Sequence, residues 1–234
     1  IRPRDWSSDV CSSDLSDDSV RAVLITAAGK NFCVGQDLAE HVEVLRTDPA
    51  HAMDTVAEHY NPLIQALHAI EVPIVIGING ACVGAGLGLA LAGDIRIAGT
   101  KAKFGTAFTG IGLAADSALS ASLPRLIGAG RAAAMFLLGS TIDAATAHTW
   151  GLVHQVVDDD TVTDAATELA TRLAAGPTAA FAAVKTLMAD NATASLTDVL
   201  DREAAAQRQL GASADHKAAV EAFLAKAKPA FIGR

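Results

Sequence analysis

Residues 79–94 read NGACVGAGLGLALAGD. This stretch decides the fold. Ahead of it Pro73 opens Ile74–Ile78 (IVIGI), a β-branched run of strand length, and the glycines run on into Leu89-Ala90-Leu91-Ala92. Strand, glycine-rich turn and apolar helix are the expected order. Glycines at Gly84, Gly86 and Gly88 let backbone N–H groups come close to a ligand, and a helix N-terminus adds partial positive charge there. The spacing is G-x-G-x-G, which departs from the G-x-G-x-x-G of dinucleotide sites and counts against a nicotinamide or flavin. Tight helix packing alone is the plainer alternative.

Working outward, Arg21–Thr26 (RAVLIT) reads as a buried strand ending at Ala27-Ala28-Gly29. A second turn, Phe32–Leu38 (FCVGQDL), follows it and precedes a helical pattern from Asp37 to Leu45. Thr47-Asp48-Pro49 interrupts that pattern, which resumes from Pro49 to Ile70 with Val56, Tyr60, Leu63, Ile64 and Leu67 at helical spacing. Asp94–Ala98 is a third strand, followed by Lys103-Phe104-Gly105. Helices are expected over Ser117–Leu126, Ala132–Leu138 and Ala144–Trp150, with a strand at Val153–Val157. From Asp160 onward the chain reads as helix, broken at Gly176-Pro177. Strands alternating with helices give an α/β class. Two strand-to-helix turns, each presenting a backbone N–H, can together hold the oxygen of a polarised carbonyl.

Composition narrows the function. The 234 residues are 51% hydrophobic with a net charge of −8. That suffices for a full-sized core and excludes a disordered chain. The acidic balance, with no basic block, argues against nucleic acid or an anionic membrane as partner, although a local site can still take an anionic small molecule. The longest apolar stretch, Ile74 to Ala92, is interrupted by Asn79 and glycines and makes a poor membrane span. Cys11, Cys33 and Cys82 form neither a disulfide framework nor a metal-spaced pair, which fits a cytoplasmic setting. Cys33 and Cys82 read as small buried filler. The seven histidines lack ligand spacing, so no metal is expected, and no Gly-x-Ser-x-Gly elbow is present. The first fifteen residues, IRPRDWSSDVCSSDL, differ in composition from the rest and read as a non-native leader.

Three segments carry a family resemblance: Phe32–Leu38, Asn79–Asp94 and Ala102-Lys103-Phe104. They resemble the signatures of the crotonase family, the enoyl-CoA hydratases and isomerases. The likeness extends over nearly all of Ser16 to Arg234, including Trp150-Gly151-Leu152-Val153 and the closing Pro229 and Phe231. Gly35-Gln36-Asp37-Leu38, Tyr60-Asn61-Pro62-Leu63 and Gln155–Asp159 are closest to the ring-epoxide isomerase branch of phenylacetate degradation. The resemblance implies a ββα spiral core over 16–190, lacking its first strand and helix, and C-terminal helices over 191–234 for lid or oligomer contacts. It implies a homotrimer or dimer of trimers, and a CoA thioester as substrate with no separate cofactor.

It also implies site roles. The N–H groups of Gln36, after Gly35, and of Ala85, between Gly84 and Gly86, would form the hole for the thioester oxygen. The Val34 carbonyl would meet the adenine of CoA, and Lys226 a CoA phosphate. Hydratases use two glutamates; here those positions hold Gly88 and Phe108. Asp116 matches the single aspartate of the isomerase members and would be the base. Taken alone, Asp116 reads as the N-cap of the helix that follows. The family's usual Pro before it and Gly-Gly after it are replaced by Ala115 and Ala118-Leu119. The expected function is an acyl-CoA isomerase. Hydration, another crotonase reaction, and a CoA-ester-binding subunit without chemistry stay open as alternatives.

Overall fold

A computed structural model describes residues 19–234. The leader expectation for residues 1–15 lies outside them. Two compact units share the chain, one of residues 24–69 and 74–167, the other of residues 19–23, 70–73 and 168–234.

In chain order the elements begin with β1 (Val23–Ile25), α1 (Leu38–Thr47), a π-helical turn (Val56–Tyr60), α2 (Asn61–Ala69), β2 (Ile74–Ile78) and β3 (Ala81–Val83). Next come α3 (Ala85–Ala92), β4 (Ile95–Gly99), β5 (Lys103–Gly105), a 3₁₀ turn (Phe108–Ile111), α4 (Leu119–Ile127) and α5 (Ala129–Leu138). They are followed by β6 (Ile142–Asp143), α6 (Ala144–Thr149), β7 (Gln155–Val157), α7 (Val162–Ala174), α8 (Thr178–Asp190), α9 (Leu196–Gly211) and α10 (Ala214–Leu224).

In the larger unit a four-stranded sheet runs β1-β2-β4-β7, and a three-stranded one runs β3-β5-β6. β2 pairs in parallel with β4 (Val75 opposite Ile95), and β4 with β7 (Ile97 opposite Gln155). In the smaller sheet β3 lies parallel to β5 (Cys82 opposite Phe104), and β6 returns antiparallel (Ile142 opposite Phe104). Every residue of β2 is buried, as its unbroken apolar run requires in a strand covered on both faces. α3 is apolar all round, and Leu87 and Ala90 are fully inaccessible. Asn79-Gly80 carries the chain from one sheet to the other. Gly80 has φ +55°, and a Cβ there would sit 2.0 Å from the Lys30 carbonyl oxygen, so only glycine fits.

Several boundaries differ from expectation for local reasons. Residues 49–53 form turns and a bend, residues 54–55 are helical and lead into the π-helical turn Val56–Tyr60, and α2 continues from Asn61. The helix expected from Ser117 begins at Leu119, because Ser117 and Ala118 both have positive φ. α5 starts earlier than expected, at Ala129, behind Gly128 at φ +85°. The C-terminal helical stretch breaks again at residues 191–195 and 212–213. There Ser195 and Ser213 accept from the N–H groups of Asp198 and His216 as N-caps.

In the smaller unit the Arg21 guanidinium donates to Thr178 Oγ1 at 2.9 Å, to the Phe231 carbonyl at 3.1 Å and to the Gly176 carbonyl. Lys185 Nζ donates to the Val72 carbonyl at 2.9 Å. The buried Asp215 carboxylate accepts from the N–H groups of Ile232 (2.7 Å) and Gly233 (2.9 Å). Among the described residues no helix is long and apolar enough to cross a membrane.

Candidate active site

The two glycine turns are stitched together by backbone. Phe32 and Cys33 N–H groups donate to the Ala81 carbonyl at 3.0 and 3.1 Å, and Val83 N–H donates to the Cys33 carbonyl at 2.9 Å. Cys33 and Cys82 thereby form a parallel bridge. α3 closes on this seam: a Cβ at Gly86 would lie 2.3 Å from the Cys33 carbonyl oxygen. Gly86 is thus glycine for close approach.

Each turn carries a glycine of positive φ immediately before a candidate donor. Gly35 (φ +95°) precedes Gln36, and Gly84 (φ +60°, ψ −129°) precedes Ala85. Gly84 N–H donates to the Gly105 carbonyl at 3.0 Å, and its own carbonyl takes the N–H groups of Leu87 and Gly88. Ala85 is then the first residue of α3, where N–H groups have no partner within the helix. Among the described residues neither the Gln36 nor the Ala85 N–H meets a protein acceptor.

A small pocket of about 70 Å³ opens beside these turns. Its walls are Cys33, Gly35, Tyr60, Leu63, Ile64, Ala85, Leu89 and Ser117. Both turns therefore reach it, through Gly35 and Ala85. Tyr60, Leu63 and Ile64 stand at helical spacing in the sequence, and Tyr60 and Leu63 fall in a segment of the closer resemblance, but nothing there marks them as pocket wall. Cys82 is buried filler as expected. Its thiol donates to the Gly86 carbonyl, and burial pushes its ionisation well above the ordinary thiol range. Cys33 departs from that expectation: it is half-buried and lines the pocket.

Asp116 is half-buried and is not itself a wall residue; its neighbour Ser117 is. Ser117 Oγ donates to Asp116 Oδ1 at 2.8 Å. Partial burial raises the Asp116 carboxyl above the usual carboxylate value, and the Ser117 hydrogen bond opposes that rise. The N-cap expectation for Asp116 is not met. The cap position of α4 is Ala118, and what Asp116 supplies to the helix is its carbonyl, accepting from Leu119 N–H at 2.9 Å. The reason is the left-handed pair Ser117-Ala118, which displaces the helix start by two residues.

Of the two positions at which the resemblance places hydratase glutamates, residue 88 is closed by packing. A Cβ at Gly88 would lie 2.5 Å from Ser117 Cβ and 2.7 Å from the Ser117 carbonyl oxygen. Phe108 is buried in the 3₁₀ turn. Val34 is 60% exposed, Gly84 and Gly86 are buried, and Gln36 is half-buried. Lys226 belongs to the smaller unit, exposed and left-handed (φ +54°) just after α10. Among the described residues no group of three His, Cys, Asp or Glu side chains could hold a metal ion.

The family model described as enoyl-CoA hydratase/isomerase matches residues 12–234. This chain belongs to that family. The enoyl-CoA hydratase/isomerase family is enzymatic, and its fold agrees with the α/β spiral expected from the three signature segments. The chain is 43% identical to the 1,2-epoxyphenylacetyl-CoA isomerase of Escherichia coli K12, over 93% of this chain and 83% of that protein. It is 40% identical to a protein of Rhodobacter capsulatus named as an enoyl-CoA hydratase, over 92% and 82%. A solved structure from Mycobacterium abscessus, described as an enoyl-CoA hydratase/isomerase, superposes with a TM-score of 0.95 at 72% identity. That match covers 97% of this chain and 87% of the other.

Proposed function

We propose that this family member is an acyl-CoA isomerase, shifting a double bond or rearranging a ring epoxide of a CoA thioester with Asp116 as its single acid/base group. The observation that carries the reading is the set of residues at three positions. Gly88 is packed against Ser117, Phe108 is buried, and Asp116 is the carboxylate hydrogen-bonded to a residue of the pocket wall. Adding water to a double bond with two carboxylates needs acids at 88 and 108, and neither position holds one. A 1,3-proton shift needs only one.

The chemistry follows from the parts. A thioester oxygen held by the N–H groups of Gln36 and Ala85 gains charge as a neighbouring C–H is deprotonated. Each donor aimed at that oxygen is worth about 3 kcal/mol in the transition state, and the N-terminus of α3 adds its dipole at Ala85. Asp116 takes the proton from one carbon and returns it to another, so no net proton is consumed. Its raised carboxyl value, set by burial, makes it a better base than an exposed aspartate. Val34 and Lys226 are proposed to meet the adenine and a phosphate of CoA. The proposed setting is cytoplasmic, as a homotrimer or dimer of trimers.

Hydration is the second reading, favoured by the likeness to the Rhodobacter capsulatus protein. Incubation with a β,γ-enoyl-CoA, an α,β-enoyl-CoA and an epoxy-acyl-CoA separates the two. The isomerase reading expects rearranged products without water added, and at least a hundredfold loss of turnover in Asp116→Asn with CoA-ester binding retained. A hydrated product, or full turnover by Asp116→Asn, overturns it.

A further inference from the structure

We propose that Ser117 is the positioning residue for the Asp116 carboxylate, and that residue 88 is glycine because Ser117 occupies the space a side chain there would need. The proposal rests on the reading of Asp116 as the base. Ser117 is 4% exposed, lies at φ +51°, and is followed by Ala118 at φ +58°. Two successive residues with a Cβ in the left-handed region are uncommon, and such backbone is held only where its surroundings over-determine it. Its effect is to place Ser117 in the pocket wall with its hydroxyl 2.8 Å from Asp116 Oδ1. That bond orients the carboxylate through Oδ1.

Gly88 makes the arrangement possible. Any Cβ at 88 would press on the Ser117 Cβ and on its carbonyl oxygen, and backbone cannot move aside without moving the turn that carries Asp116. A carboxylate working from position 88 and one held by Ser117 at position 116 are therefore alternatives on this backbone. The charged surroundings are sparse. α3 carries no titratable side chain, α4 carries only the exposed Arg125, and the pocket wall contributes Cys33 and Tyr60. Among the described residues, burial and the Ser117 hydroxyl are what act on the Asp116 ionisation. The hydroxyl favours the ionised form, so its loss makes Asp116 titrate at higher pH.

The test is the pH dependence of β,γ-enoyl-CoA isomerisation in Ser117→Gly, Ser117→Ala, Ser117→Cys and Gly88→Ala. Ser117→Gly suits φ +51° and keeps the fold. The expected result for both Gly and Ala is a kcat about tenfold lower, a KM within about twofold, and an acid limb moved up by about one pH unit. Ser117→Cys, with a weak S–H donor, recovers part of the loss. Gly88→Ala shows the same displacement of the acid limb although the hydroxyl is retained. Carbon-13 titration of the Asp116 carboxyl in the native chain and Ser117→Gly reads the same change without turnover. An acid limb and a carboxyl titration both unmoved in Ser117→Gly overturn the proposal. An acid limb that persists unchanged in Asp116→Asn overturns the base reading instead.

Discussion

Gly84 and Gly86 carry different burdens although they stand two residues apart. Gly84 needs a backbone conformation that other residues adopt only under strain, while Gly86 needs the absence of a Cβ beside the Cys33 carbonyl. Gly86→Ala is expected to lower stability by about 1–3 kcal/mol, as forced overpacking does, read as a drop in urea midpoint. Asp116→Asn is expected to behave oppositely. Its carboxyl titrates above its unfolded value, so the native state binds protons more readily than the unfolded state. The stabilising contribution is therefore complete below the unfolded value and is lost as pH rises through the folded one. Asparagine has no charge to bury, so at neutral pH the variant is at least as stable as the parent while losing turnover; thermal melts at pH 4 and pH 8 check this. The two thiols near the pocket also differ. Cys33 is half-buried on the wall, and Cys82 is buried with its ionisation suppressed, so an alkylating reagent modifies Cys33 before Cys82 in peptide mapping.

At the scale of elements, the C-terminal tail is fastened to the start of α10 rather than left to trail. Asp215, in the first turn of α10, receives the N–H groups of Ile232 and Gly233 and gives its own N–H to the Arg234 carbonyl. Asp215→Ala leaves those two N–H groups to find other partners and is expected to cost about 2–3 kcal/mol. Asp215→Asn, keeping one acceptor oxygen, costs less. Hydrogen exchange at Ile232 and Gly233 distinguishes local release of the tail from global loss, because local opening speeds exchange there alone. The positions of such fastenings were only partly legible beforehand. The break at Gly176-Pro177 shows in composition, whereas the sequence reads as continuous helix through the break before Ser195. Nothing near Asp215 in the sequence points to residues 232 and 233.

At the scale of the molecule, several large apolar side chains stand open, among them Leu137 and Leu138 on α5 and Phe223 and Leu224 on α10, each at least 76% exposed. They fit the proposed assembly, in which helices pack between copies. Sedimentation is expected to give three or six times the 23.9 kDa chain mass. Phe223→Ser with Leu224→Ser is expected to lower that mass while leaving the pocket residues in place. A native chain sedimenting at the monomer mass counts against the assembly.

By itself, the sequence determined most of the order of strands and helices and the two glycine turns, but not the short strands β3 and β6. The missing glutamates and the single aspartate followed only from the family resemblance. The elements and turns depend on residue types at short spacings. Apolar periodicity marks helices, β-branched runs mark strands, and glycine marks the places where backbone must turn or approach. Tertiary structure alone decided that the two turns meet through the Cys33–Cys82 bridge, since residues 33 and 82 are joined by backbone hydrogen bonds that no side-chain pattern encodes. It also decided that Asp116 does not cap α4 and that Ser117 does two things at once. Those outcomes come from a positive-φ pair and from a Cβ that residue 88 does not have, and both depend on what lies across space rather than along the chain.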